Sequence, residues 1–138
     1  MKTCISNPPY NLRWQQPIFA QMQDRFKYTA VPPVSNANFA FILTALNKCD
    51  RLCFILPQGV LTSGTKEEKE IRQYLIEKNY VEAVITCPSK MFEATSIPVC
   101  IITLDKNKKT SETVMIDAKD FCTKETREQR GQFGRKCT

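Results

Sequence analysis

The sequence contains no histidine. That excludes an imidazole general base, a Ser-His-Asp triad and a Cys/His zinc site within this chain. No metal is expected. Glycine is scarce. The four glycines stand at 59, 64, 131 and 134, and none forms a G-x-G. A glycine-rich cofactor loop needs bare backbone that can approach its ligand closely, so none is expected here. None of the seven cysteines forms a C-x-x-C pair, and the count is odd. Cys53, Cys87 and Cys100 lie in or beside apolar runs that read as strands. Reduced, partly buried thiols in a cytosolic protein are the natural reading. No apolar run is long enough to span a bilayer, and no signal-peptide pattern or internal repeat is visible.

What is present is an ordinary globular composition. The 138 residues are 42% hydrophobic and 25% charged, enough for one domain with a core. The formal net charge of +6 is compatible with a polyanionic partner. Many basic residues sit among acids, as in Lys66-Glu67-Glu68-Lys69-Glu70, a solvated helix face. The tail is more lopsided, with Lys124, Arg127, Arg130, Arg135 and Lys136.

Thr3–Ser6 reads as a short strand. Leu12 to Val34 is long and irregular, with Trp14, Phe19, Phe26 and Tyr28 before Pro32-Pro33. A connection of that length is usually functional or disordered, and the aromatics argue for packing. Ser35 or Asn36 is placed to cap a helix in which Phe39, Ile42, Leu43 and Leu46 form one apolar stripe. Arg51–Leu56 is nearly continuous and apolar, as in a strand covered on both faces, and Pro57 ends it. Thr65-x-x-Glu68 is a capping box for a second helix with Ile71 and Leu75 inward, ended by Asn79. Val81–Thr86, Pro98–Leu104 and Thr113–Ile116 read as further strands. From Phe121 onward the chain is polar without a sustained period, a surface loop or frayed tail.

The order strand, helix, strand, helix, strand implies parallel βαβ units of an α/β sheet. In open sheets of that kind ligands bind beyond the carboxyl ends of the strands. Three segments fall there: Asn7-Pro8-Pro9-Tyr10, Pro57-Gln58-Gly59 and Cys87-Pro88-Ser89. They are expected to converge on one crevice. The first is the most informative. A residue before proline is pushed out of the helical region, so Asn7 and Pro8 are both extended. Both prolines have fixed φ and no N–H. The result is a stiff spur with free carbonyl acceptors, a side-chain amide from Asn7 and a flat ring from Tyr10. Such a spur suits the amino group of a planar base. The same tetrapeptide also reads as a strand ending in a proline-stiffened turn.

Asn7-Pro8-Pro9-Tyr10 resembles the catalytic motif of amino-group DNA methyltransferases. The later segments resemble the modification subunit of type I restriction systems: Asn36-Ala37-Asn38-Phe39-Ala40, Phe54-Ile55-Leu56-Pro57-Gln58-Gly59-Val60-Leu61, Glu70-Ile71-Arg72, Met91-Phe92, Thr95-Ser96-Ile97-Pro98, Ile116-Asp117-Ala118 and Arg127-Glu128-Gln129-Arg130-Gly131. They occur in the family's order and with similar spacing over nearly the whole chain. The fold implied is α/β: over residues 1–120, the C-terminal half of a Rossmann-like S-adenosylmethionine-dependent methyltransferase sheet flanked by helices, with 121–138 a polar loop or tail.

The activity implied is methyl transfer from S-adenosylmethionine to adenine N6 in DNA, with the base taken out of the stack. The resemblance implies that the Asn7 side chain and the Pro8 carbonyl, stiffened by Pro9, accept from the adenine amino group. Tyr10 stacks on the flipped base. Phe92 matches a position where related enzymes place an aromatic against that base, and it also reads as a core phenylalanine beside Met91. The expected partners are DNA and the specificity and restriction subunits of a type I system. The family's glycine-rich cofactor loop has no counterpart here, so its main binding site is expected upstream of Met1, and the chain reads as a fragment. A sheet cut in this way exposes an edge, which makes self-association an expectation. Two alternatives stand beside this reading: a non-catalytic remnant that binds DNA or a partner subunit, and a methyltransferase acting on cytosine, RNA or protein glutamine.

Overall fold

The computed structural model describes residues 1–92, 95–129 and 132–137, with backbone alone at 124–129 and 132–137. The chain runs through β1 (Thr3–Ser6), α1 (Asn38–Leu46), β2 (Arg51–Pro57), α2 (Lys66–Glu77), β3 (Val81–Thr86), β4 (Val99–Asp105), β5 (Val114–Asp117), β6 (Cys122–Gln129) and β7 (Gln132–Cys137). Five strands form one sheet in the order β1-β2-β4-β3-β5. β1 pairs parallel with β2, and β3 parallel with β5, while β4 runs antiparallel between β2 and β3. The parallel βαβ expectation therefore holds for β1-α1-β2. The β3–β4 connection has no helix among its described residues, and β4 consequently returns antiparallel.

The N-cap of α1 is Ala37 and makes no side-chain cap, so neither Ser35 nor Asn36 caps the helix as expected. One residue earlier the Asn36 side chain accepts from the Asn38 N–H at 3.3 Å. Phe39, Ile42, Leu43 and Leu46 are all buried, as the stripe requires. The Thr65 hydroxyl oxygen accepts from the Glu68 N–H at 3.3 Å and donates to the Glu68 carboxylate at 2.8 Å. After α2, Asn79 takes a left-handed φ of 60°. The Asn79 N–H then reaches the Ile76 carbonyl and the Tyr80 N–H the Leu75 carbonyl, a Schellman closure.

The strand register shows which face is covered. Leu52, Phe54 and Leu56 lie opposite Leu104, Ile102 and Cys100, and these pack with Phe39, Ile42, Ile71 and Leu75 of the helices. The alternate positions Cys53, Ile55, Ile85 and Ile101 are only half-buried, and Ile5 is 81% exposed. The expectation that β2 is covered on both faces is thus corrected. Among the described residues the helices pack on one face, and the other is covered only near Pro57 and Val99. The long 12–34 stretch contributes to the core: Phe26 is fully buried, Trp14 Nε1 donates to the Pro33 carbonyl at 2.8 Å, and the Arg25 guanidinium lies 4.4 Å from the Phe26 ring centre.

The polar stretch after Phe121 is paired rather than frayed. β6 and β7 form an antiparallel two-stranded sheet that brings Cys122 opposite Cys137. A strand without an apolar alternation leaves no period to read, which is why it was not expected. Arg130 and Gly131, part of the last resembling segment, lie outside the described residues. Among the described residues no helix is long and apolar enough to cross a membrane.

Candidate active site

β1, β2, β3 and β5 all point the same way, so their carboxyl ends share one edge of the sheet. The spur follows β1 at that edge. Pro8 is buried, Tyr10 half-buried, and Asn7 and Pro9 exposed. The Tyr10 hydroxyl donates to the Asn7 Oδ1 at 2.5 Å. That bond uses one lone pair of the amide oxygen and leaves the other available. It also fixes which way the amide faces. Burial raises the Tyr10 phenol above its ordinary value, with Cys87 adding to the rise. The hydroxyl therefore stays protonated, and able to donate, beyond the usual range of tyrosine.

The other two loops are joined by Gln58. Its backbone N–H donates to the Pro98 carbonyl at 2.9 Å. Its side chain donates to the Val99 carbonyl at 3.0 Å and more weakly to that of Cys87 at 3.5 Å. A cleft of about 400 Å³ opens beside this bridge. Gln58, Thr86, Cys87, Ser89, Asp117 and Lys119 are among its lining residues. The Asp117 carboxylate accepts from the Lys119 N–H at 3.2 Å and the Thr86 hydroxyl at 2.9 Å, and these bonds, in that order, hold its pKa below the ordinary value. The spur residues do not line this cleft. Of the three segments expected to converge, Pro57-Gln58-Gly59 and Cys87-Pro88-Ser89 supply lining residues to this cleft and the spur supplies none. Beneath them burial pushes the Cys100 thiol up to about 12, with Cys87 adding to the rise.

Phe92 is half-buried in the β3–β4 connection and is not among the residues packed on the main core. No described contact brings it to the spur. Sequence reasoning missed three contributors. In the sequence the Tyr10 hydroxyl is only part of a flat ring and Gln58 only part of a loop. Asn38 is only part of a resembling segment, yet it is 3% exposed and bonded twice to Asn11. Its one visible signal is a polar residue opening an apolar run, Asn38-Phe39-Ala40-Phe41-Ile42-Leu43.

The family model for the N-6 DNA methylases matches residues 1–134. The chain is 34% identical over 126 residues to the type I restriction enzyme HindI methylase subunit of Haemophilus influenzae, covering 88% of this chain and 28% of that protein. It is also 34% identical over 136 residues to the MpnII methylase subunit of Mycoplasma pneumoniae, covering 91% and 24%. The crystal structure of a type I restriction-modification methyltransferase subunit from Streptococcus thermophilus superposes with a TM-score of 0.87 at 30% identity, over 99% of this chain and 29% of that one. The EcoKI M protein shares the fold, with a TM-score of 0.61 at 19% identity. The chain thus spans less than a third of the length of these relatives. With a family model matched along almost its whole length and an α/β sheet that carries Asn7-Pro8-Pro9-Tyr10 at the carboxyl end of β1, the chain belongs to the N-6 DNA methylase family.

Proposed function

We propose that this chain forms the base-handling part of a site-specific DNA methyltransferase of a type I restriction-modification system, acting on adenine N6. The observation that carries the reading is the exposed Asn7 amide, oriented by the Tyr10 hydroxyl at the carboxyl edge of the sheet. The second lone pair of Asn7 Oδ1 and the carbonyl of Pro8 accept the two protons of the adenine amino group. Holding both protons turns the nitrogen lone pair out of conjugation with the ring and toward an incoming methyl group. The same acceptors stabilise positive charge growing on that nitrogen. Pro8 and Pro9 keep the acceptors from collapsing onto the sheet. The Tyr10 ring stacks on the extruded base, a contact worth about 1–3 kcal/mol. Phe92 belongs to the same base pocket in this reading.

S-adenosylmethionine, the donor this family implies, supplies the methyl group when bound. The described residues do not build its site. Neither Gly59 nor Gly64 forms a tight backbone cradle, since a Cβ at either meets nothing within 4 Å. The chain by itself is therefore expected not to bind the donor at micromolar concentrations by calorimetry, about −8 kcal/mol. DNA and the specificity and restriction subunits of a type I system are the partners assigned. The open edge of β1 is the surface assigned to self-association.

The test places residues 1–134 of this chain into the Haemophilus influenzae relative in place of its matching segment. Methylation of adenine in duplex DNA is then followed in a single turnover. Asn7→Ala is expected to lower the rate about 100-fold or more, because the lost acceptor acts on charge that appears in the transition state. Turnover that survives Asn7→Ala in a folded protein ends the catalytic assignment and leaves the stiff-turn reading.

A further inference from the structure

The spur is held from behind by a side chain distant in sequence. Asn38 opens α1 and is 3% exposed. Its Oδ1 accepts from the Asn11 backbone N–H at 3.0 Å, and its Nδ2 donates to the Asn11 Oδ1 at 3.0 Å. Next to it the Ala37 N–H donates to the Leu12 carbonyl at 2.7 Å. Asn11 directly follows Tyr10 and sits at a left-handed φ of 54°, where asparagine is tolerated better than most residues. Two bonds between the same two residues fix an orientation that one bond leaves free to rotate. We propose that Asn38 is the positioning residue of the Asn7–Tyr10 spur.

The chain of constraint is short. The Asn11 N–H belongs to the Tyr10–Asn11 peptide plane, so holding it holds the Tyr10 carbonyl and restricts the direction of the Tyr10 side chain. The Tyr10 hydroxyl in turn holds the Asn7 Oδ1. Asn38 thus acts on the acceptor through Asn11 and Tyr10 without touching the base. A purely structural role would be satisfied by any filling of the buried space. A positioning role requires two hydrogen bonds to Asn11, whichever partner donates the second. The catalytic meaning of the clamp rests on the function proposed above; the clamp itself does not.

The clamp is tested on this chain, labelled with ¹⁵N. In Asn38→Ala the Asn11 amide is expected to exchange with solvent about tenfold faster or more. The Asn7 side-chain amide and the Tyr10 ring signals should shift or broaden. Amides at the centre of β2 and β4, such as those of Phe54 and Ile102, should keep their protection. Asn38→Asp is expected to restore the spur signals, because its carboxylate accepts from the Asn11 N–H and from a rotated Asn11 amide. A clamp without consequence for the spur would show as Asn7 and Tyr10 signals unchanged in Asn38→Ala, which overturns the proposal. If Asn38→Ala does not fold, Asn11→Ala removes the side-chain half of the pair, and unchanged Asn7 and Tyr10 signals there overturn it equally. In the exchanged methyltransferase, Asn38→Ala should slow the single turnover about tenfold, with Asn38→Asp close to the parent. A loosened spur with an unchanged rate would sustain the clamp and sink the catalytic reading.

Discussion

The two faces of the sheet are made of similar residues and meet different fates. On one, Leu52, Phe54, Leu56, Cys100, Ile102 and Leu104 are buried under α1 and α2. On the other, Cys53, Ile55, Ile85 and Ile101 are half-buried and Ile5 and Ile116 exposed. Both faces are apolar enough to drive burial. The difference lies in where the connections go. Among the described residues both α-helices pack on the same side, so composition alone does not decide which face is closed. An uncovered apolar face is the kind of surface that finds a partner.

The largest effect that would break this contrast comes from truncating each face in turn. Leu56 is fully buried, so Leu56→Ala should cost about 2–5 kcal/mol in urea melts. Its half-buried neighbour should be cheaper, with Ile55→Ala costing about 1 kcal/mol. Equal costs would mean that the open face is covered in solution.

The cap of α2 belongs to a helix that packs on the covered face. Thr65→Ala removes the acceptor for the Glu68 N–H and should lower stability by about 1 kcal/mol. In the exchanged methyltransferase the turnover per folded molecule should stay unchanged. That outcome separates a helix-capping polar group from Asn38, which is bonded across 27 positions.

A pH effect sharpens the same contrast. Burial raises the Cys100 thiol from 9.0 to about 12, so folding favours its protonated form. The unfolded chain releases that proton at lower pH. The associated stability is therefore complete below pH 9.0 and is lost as pH rises toward about 12. Cys100→Ala should flatten this decline in alkaline melts. In the native chain iodoacetamide should modify Cys53, on the open face, well before Cys100, as read by mass spectrometry of peptides.

The smallest change is expected for Ile5→Lys. Ile5 is 81% exposed, so the melt should move by no more than about 0.5 kcal/mol. Binding of an apolar dye and self-association in sedimentation should fall, since a charge on an edge strand opposes pairing. Unchanged sedimentation would remove β1 from the association surface.

Local chemistry was legible in the sequence. The strands Thr3–Ser6 and Val81–Thr86 lie where expected, because each is a short apolar or β-favouring run with clear ends. The Thr65–Glu68 box and the Asn79 stop are short-range hydrogen bonds, so spacing alone discloses them. The Asn-Pro-Pro-Tyr spur is stiff for covalent reasons that any fold would respect. What stayed hidden depends on partners far along the chain. The antiparallel entry of β4 between β2 and β3 depends on how its connection travels. The closed and open faces depend on which side both helices take. The Asn38 clamp and the Gln58 bridge join residues 27 to 41 positions apart. The sequence by itself determined most of the elements, the cap and stop of α2 and the stiffness of the spur, because these are set by backbone sterics and neighbouring residues. Only the tertiary structure decided how that spur is aimed, because aiming needs contacts whose geometry exists after the chain has closed on itself.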